Sequence, residues 1–175
     1  MMTSSPEAYR IYLMRHAHAA APMPGERDFD RKLDLRGRDE AAIVARQAEA
    51  FGVAPDRVIT SAAKRCQETT AMMSGIFPER SVDISDALYA GTVETYLDLI
   101  ADHAGSGALM IVGHNPVMEE LTEILLGQDV SSSIIPYGFP TAGLLGAEIS
   151  LPTTHGSRPR AKALFLITPS FSEAF

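Results

Sequence analysis

Along the chain, short apolar runs alternate with longer stretches whose apolar residues recur every three or four positions. "YRIYLM" (9–14), "DRVIT" (56–60) and "ALMIVG" (108–113) have strand length, and each is followed by a helical pattern. After Gly37, the residues Ala41, Val44, Ala48 and Phe51 fall at helical spacing, and Gly52 ends the stretch. Val93, Tyr96, Leu97, Ile100 and Ala104 repeat the pattern behind Thr92. Val117, Leu121, Ile124 and Leu125 follow Asn115, read as an N-cap, and Pro116, read as the first helical position; Gly127 closes that helix. These stripes predict helix faces that pack on a core. Near the C-terminus "GLLGAEISL" and "RAKALFLI" read as two strands separated by "PTTHGSRP", which predicts an antiparallel edge on a sheet otherwise joined by helical crossovers. The alternation as a whole implies an α/β sandwich.

Composition narrows this picture. At 175 residues and 46% hydrophobic side chains, the chain can bury a real core and is expected to form one domain spanning 1–175. A formal charge of −7 argues against nucleic acid or an anionic membrane as partner, so any anion site must be a local concentration of cations. The single cysteine, Cys66, cannot form an intramolecular disulfide and fits a reducing compartment. "MMTSSPEAYR" lacks the apolar core of a signal peptide, and no run approaches the length of about 18 apolar residues that spans a bilayer. The expectation is a cytoplasmic protein.

Charged residues cluster where the predicted strands end. Arg15 and His16 close the first strand, Arg65 opens the helix after "VITSAAK", and His114 stands just before Pro116. In an open α/β sheet the carboxyl ends of parallel strands share one edge, so these residues can converge. Two guanidinium forks and the amides of helix N-termini suit phosphate oxygens. The long irregular segment "AAAPMPGERDFDRKLDLRG" (19–37) lies beside that edge, where loops carry function. Each residue alone has a structural reading, as a solvated or hydrogen-bonded strand end, and their joint placement is what points to an anion. His16 with His18 forms a His-x-His pair of the type metal-dependent hydrolases place on a first barrel strand, although such barrels run to about 200 residues or more. Cys66 lacks the following arginine that a thiol phosphatase needs and reads as a small core residue. His103 and His155 read as surface residues. Tyr89, Tyr137 and Phe139 are assigned to core packing, with a pocket entrance as the alternative.

These motifs resemble a known family. "LMRHAHA" is similar to the Arg-His-Gly signature of the histidine phosphatase superfamily, with Ala17 in place of glycine. "VITSAAKRCQETT" resembles its Ser-x-x-x-Arg-x-x-x-Thr motif at Ser61, Arg65 and Thr69, and "VGHNP" supplies the second histidine, His114. "FDRKLDLRG" resembles the Asp-Arg-x-Leu-x-x-x-Gly stretch of the compact SixA-type phosphohistidine phosphatases. The resemblance runs in order from about residue 10 to 127. It implies a phosphoglycerate mutase-like three-layer sandwich, with a mixed, mostly parallel central sheet flanked by helices.

It also implies a cofactor-independent phosphatase that passes through a phosphohistidine enzyme and holds no metal. His16 would attack phosphorus as a neutral imidazole, while Arg15, Arg65 and His114 bind the phosphoryl oxygens. His114 is expected to take up its proton most readily with phosphate bound. Larger relatives carry a glutamate acid after the second motif; by chain order the match is Asp86, with His18 and Asp30 as rivals. The expected substrate is phosphohistidine on a protein such as a histidine phosphotransfer domain, with a small phosphomonoester as the alternative. A phosphate- or phosphoprotein-binding module without turnover, and a metal hydrolase built on His16 and His18, are the readings from other classes.

Overall fold

Strand β1 (Ala8–Arg15) shows why the chain forms three layers. Its successive side chains point to opposite faces. Ile11 and Leu13 enter one core cluster, and Tyr12 and Met14 enter another. Strand β4 (Leu109–Gly113) splits the same way, with Leu109 and Ile111 on the first face and Met110 and Val112 on the second. Strands buried on both sides need cover on both sides. Helices α1 (Leu35–Ala50) and α2 (Lys64–Met72) supply one cover through Ala41, Val44, Ala48 and Cys66. The other comes from α3 (Ala87–Ala90), α4 (Val93–Asp102) and α5 (Val117–Leu126), through Leu88, Tyr96, Ile100, Leu121 and Leu125.

The computed structural model describes residues 8–150 and 157–175; most of the "PTTHGSRP" connection, His155 included, lies outside the described residues. Strand β2 (Arg57–Ser61) lies between β3 (Val82–Ser85) and β4, and the sheet runs β3-β2-β4-β1-β5-β6-β7. The first four of these strands are mutually parallel. Strands β5 (Leu144–Ser150), β6 (Arg160–Ile167) and β7 (Ser172–Ala174) add antiparallel ladders, which gives the expected mixed sheet with its late antiparallel edge. A short helix, α6 (Gln128–Ile134), follows α5. Among the described residues no helix is long and apolar enough to cross a membrane.

Two helix starts differ from the sequence reading. Helix α1 begins at Leu35, ahead of Gly37, because Asp34 caps it by accepting from the Gly37 N–H at 2.8 Å, a contact worth about 1 kcal/mol. Gly37 is needed for another reason, since a Cβ there would strike the His18 carbonyl. At α5 the cap position is Pro116, and Asn115 is drawn away: its amide donates to Glu119 Oε1 at 2.5 Å and to the Phe139 carbonyl at 3.1 Å.

Candidate active site

The sheet register brings the two family histidines together. Arg15 pairs with Gly113 in the parallel β1·β4 ladder, so His16 and His114 are the next residues on neighbouring strands. The His16 N–H donates to the Gly113 carbonyl at 3.0 Å, and the two rings lie 5.3 Å apart edge to face. That distance is close to the spacing of adjacent strands. Gly113 itself is forced by packing, because a Cβ there would run into the Tyr96 hydroxyl and the Met118 side chain.

The end of β2 and helix α2 together deliver three residues at spacings of four. Ser61, at the end of β2, places Oγ 2.8 Å from His114 Nε2. Arg65 donates through Nε to His16 Nε2 at 3.3 Å and through Nη2 to His114 Nδ1 at 3.4 Å. Thr69 Oγ1 accepts from the Ala17 N–H at 3.0 Å and donates to the Arg65 carbonyl at 2.7 Å, which ties the strand end to the helix. Ala17 substitutes for the family glycine without strain: Ala142 is the one non-glycine residue with positive φ among the described residues. Arg15 reaches across the same edge, donating through Nη1 to the Phe139 carbonyl at 2.8 Å, while its buried Nε has no hydrogen-bond partner.

The His16 ring has a defined orientation. Nδ1 lies 2.8 Å from the Ala17 carbonyl, which can only accept, so the proton sits on Nδ1 and the Nε2 lone pair faces Arg65. Burial, joined by the charges of His114, Arg65 and Arg15, pushes the His16 imidazole from its ordinary 6.5 down to about 3. Burial and Arg65 likewise lower His114 to about 4. Both rings are neutral near pH 7 in this state. Cys66, fully buried with Sγ 3.5 Å from His114 Nε2, is pushed up to about 12 by burial, so it is an inert thiol that packs under the site.

The long loop contributes a residue that the sequence reading did not select. A 3-10 turn at Asp28–Asp30 presents the Asp28 carboxylate to Arg65 Nη2 at 3.0 Å and the Asp28 carbonyl to Nη1 at 2.7 Å. The Tyr89 hydroxyl donates to the same carboxylate oxygen at 3.0 Å, and Phe29 packs edge to face on Tyr89 at 4.9 Å. Bonds from Arg31, Tyr89 and Arg65 hold Asp28 down at about 2, fully ionised.

The other candidates fall elsewhere. Asp86 is exposed at the start of α3, with helical backbone angles and no side-chain hydrogen bond; it is Tyr89, one turn later, that faces the cluster. Asp30 is bound to Arg27 at 2.6 Å, and it is Asp28 that pairs with Arg65. His18 is tied by Nδ1 to Asp34 at 2.7 Å and its N–H donates to Glu40, so its ring belongs to the start of α1 and not to a pair with His16. His103 caps α4 through the Leu99 carbonyl. Phe139 is core as expected, whereas Tyr89 stands at the mouth of the site and Tyr137 is fully exposed.

The model of the histidine phosphatase superfamily (branch 1) matches residues 11–89. A crystal structure from Agrobacterium tumefaciens, provisionally described as the phosphohistidine phosphatase SixA, superposes with a TM-score of 0.82 at 38% identity, covering 92% of this chain and 98% of that one. The chain belongs to the histidine phosphatase superfamily. A tungstate complex of the protein histidine phosphatase SixA shares the fold, with a TM-score of 0.74 at 20% identity, covering 92% of this chain and 97% of that one. An uncharacterized Mycobacterium tuberculosis protein is 33% identical over 135 residues, 75% of this chain and 84% of its own length. A chloroplastic Arabidopsis thaliana relative is 30% identical over 132 residues, 69% of this chain, and the chain spans 61% of that protein. The phosphoglycerate mutase-like sandwich of the superfamily agrees with this sheet, and the family supports a phosphatase.

Proposed function

We propose that this protein removes phosphate from phosphohistidine on a protein, such as a histidine phosphotransfer domain in the cytoplasm, by transfer to His16 and then to water. The observation that carries the reading is the His16 ring, neutral, with its proton fixed on Nδ1 by Ala17 and its Nε2 lone pair turned to a guanidinium. That is the state in which imidazole acts as a nucleophile. As Nε2 bonds to phosphorus in line, the P–N bond to the substrate ring breaks and its electron pair leaves with that ring. Arg15 and Arg65 face the phosphoryl oxygens, where transition-state charge accumulates. The unpaired Arg15 Nε would gain its partner there.

His114 changes role during the step. At rest its Nδ1 accepts from Arg65 and its Nε2–H donates to Ser61. A phosphoryl dianion beside it outweighs burial and the Arg65 charge, so Nδ1 takes a proton and becomes a donor to the oxygens. Water then attacks the phosphoryl group on His16 and returns the ring to its neutral form. Because cations of the chain cover the oxygens, the reaction runs without metal or cofactor.

The test is a panel of phosphorylated compounds that includes a phosphohistidine protein and alkyl phosphates. Rapid quenching should reveal acid-labile phosphate on His16 of the wild-type protein and none on His16→Ala. Turnover that survives in His16→Ala would overturn the mechanism. Stoichiometric capture without release would mark a binding module.

A further inference from the structure

The mouth of the site has an unusual chemical character for a phosphatase that releases alcohols. His16 and His114 lie at the floor, with His114 only 8% exposed, so a phosphoryl group must enter from the solvent side. In-line attack by His16 Nε2 therefore points the leaving group back towards that side. There the Asp28 carboxylate waits on the end of the Arg65 guanidinium, whose other edge faces His16. Asp28 has one oxygen on Arg65 and Tyr89 and the other on Arg31 at 2.8 Å, and half of its side chain remains exposed. All of its protein partners are donors, so it is an acceptor with no proton to give. Phe29 and Tyr89 frame it with aromatic rings.

Resting on the phosphatase reading above, we infer that Asp28 is a specificity-determining residue that favours leaving groups carrying an N–H, imidazole in particular, over oxygen leaving groups. A phosphohistidine ring protonated on its second nitrogen can donate that N–H to Asp28 while its rim lies against Tyr89 and Phe29. The proton remains on the ring throughout. When His16 Nε2 bonds to phosphorus, the P–N pair returns to the ring, the positive charge there is cancelled, and neutral imidazole departs. Asp28 helps by keeping the ring in its protonated form, in which the P–N bond breaks readily. An ester behaves in the opposite way: its departing oxygen gathers negative charge, and Asp28 can neither protonate it nor accept from it. One carboxylate thus draws in one leaving-group class and repels the other.

The experiment compares kcat/KM for free phosphohistidine with that for p-nitrophenyl phosphate, since this parameter reports the steps up to transfer onto His16. In Asp28→Asn the ratio of the two should fall by about 10-fold to 100-fold, the range for losing a charge-assisted hydrogen bond and relieving repulsion of the phenolate. Asp28→Glu, which keeps the charge, should restore most of it. If both substrates change by the same factor in Asp28→Asn, the carboxylate merely holds Arg65 in place and the inference fails. Phosphate captured on His16 during each assay separates the two claims: labelling with an unmoved ratio overturns only the role of Asp28, whereas absence of labelling in the wild type overturns the proposed function.

Discussion

Arg65 offers a way to separate the effect of a charge from the effect of a shape. Three of its nitrogens are engaged, Nε with His16, Nη1 with the Asp28 carbonyl and Nη2 with Asp28 and His114, and the residue is 7% exposed. Arg65→Ala would remove about two charge-assisted bonds from a bound phosphoryl group, each worth about 1.5–3 kcal/mol. The expected loss is then about 3–6 kcal/mol, or about 10²–10⁴-fold in kcat/KM, with a comparable loss of tungstate affinity. Arg65→Lys retains the charge and loses the planar fork, so it should recover about half of the loss on a logarithmic scale. A second readout isolates the charge. Arg65 lowers both imidazoles, so its removal raises their pKa values, and the acid limb of kcat/KM should move to higher pH in Arg65→Ala but not in Arg65→Lys. Steady-state rates with phosphohistidine, tungstate competition and a thermal melt of each variant provide the measurements. Full recovery by lysine would show that a point charge suffices, and unchanged tungstate affinity in the alanine variant would remove Arg65 from the anion site.

Other expectations are shorter. His16→Ala should lose turnover while keeping a wild-type melting transition, because the side chain sits at a strand end and carries little of the core; residual activity above background would contradict this. Stability should decline as pH falls from about 6.5 towards 4 and 3, since the unfolded chain binds protons that the folded His114 and His16 refuse, and a thermal midpoint flat across that window would refute it. Turnover after exhaustive chelation should equal that of untreated protein, and rescue by added Mg²⁺ or Zn²⁺ would count against the arginine-histidine shell. Asp86→Asn should show no selective loss on alkyl esters; a loss of about 10²–10⁴-fold confined to them would restore Asp86 as the acid.

What the sequence made legible follows from burial. Strands β1, β2 and β4 are apolar on both faces because both faces are covered, and such runs stand out in any reading of the chain. Their polar ends, Arg15, His16, Ser61 and His114, are then conspicuous. The loop was harder because its choice of residue is tertiary. Asp28 and Asp30 both sit in one 3-10 turn and both pair with an arginine three residues away. With Phe29 packed on Tyr89, from a distant part of the chain, it is Asp28 and not Asp30 that reaches Arg65. An irregular segment in the sequence does not tell which carboxylate it will deliver. Asn115 misled for a similar reason, since the Phe139 carbonyl that it meets, and the Phe139 N–H that holds its other partner Glu119, arrive only once the 135–143 segment folds back.

The parallel ladder between β1 and β4 acts as a ruler that is independent of the side chains it measures. Backbone bonds fix positions 16 and 114 beside one another, so substituting either histidine changes the chemistry without altering the gap. Other residue pairs can therefore be installed there at known separation, which makes the sheet edge a ready scaffold for engineered nucleophiles or ligands. Deletions have the reverse property. Removing one residue from Leu109–Gly113 would displace His114 by about 3.3 Å along the strand and turn it to the opposite face. Along this chain the spacing of the pair survives new identities and does not survive a new count.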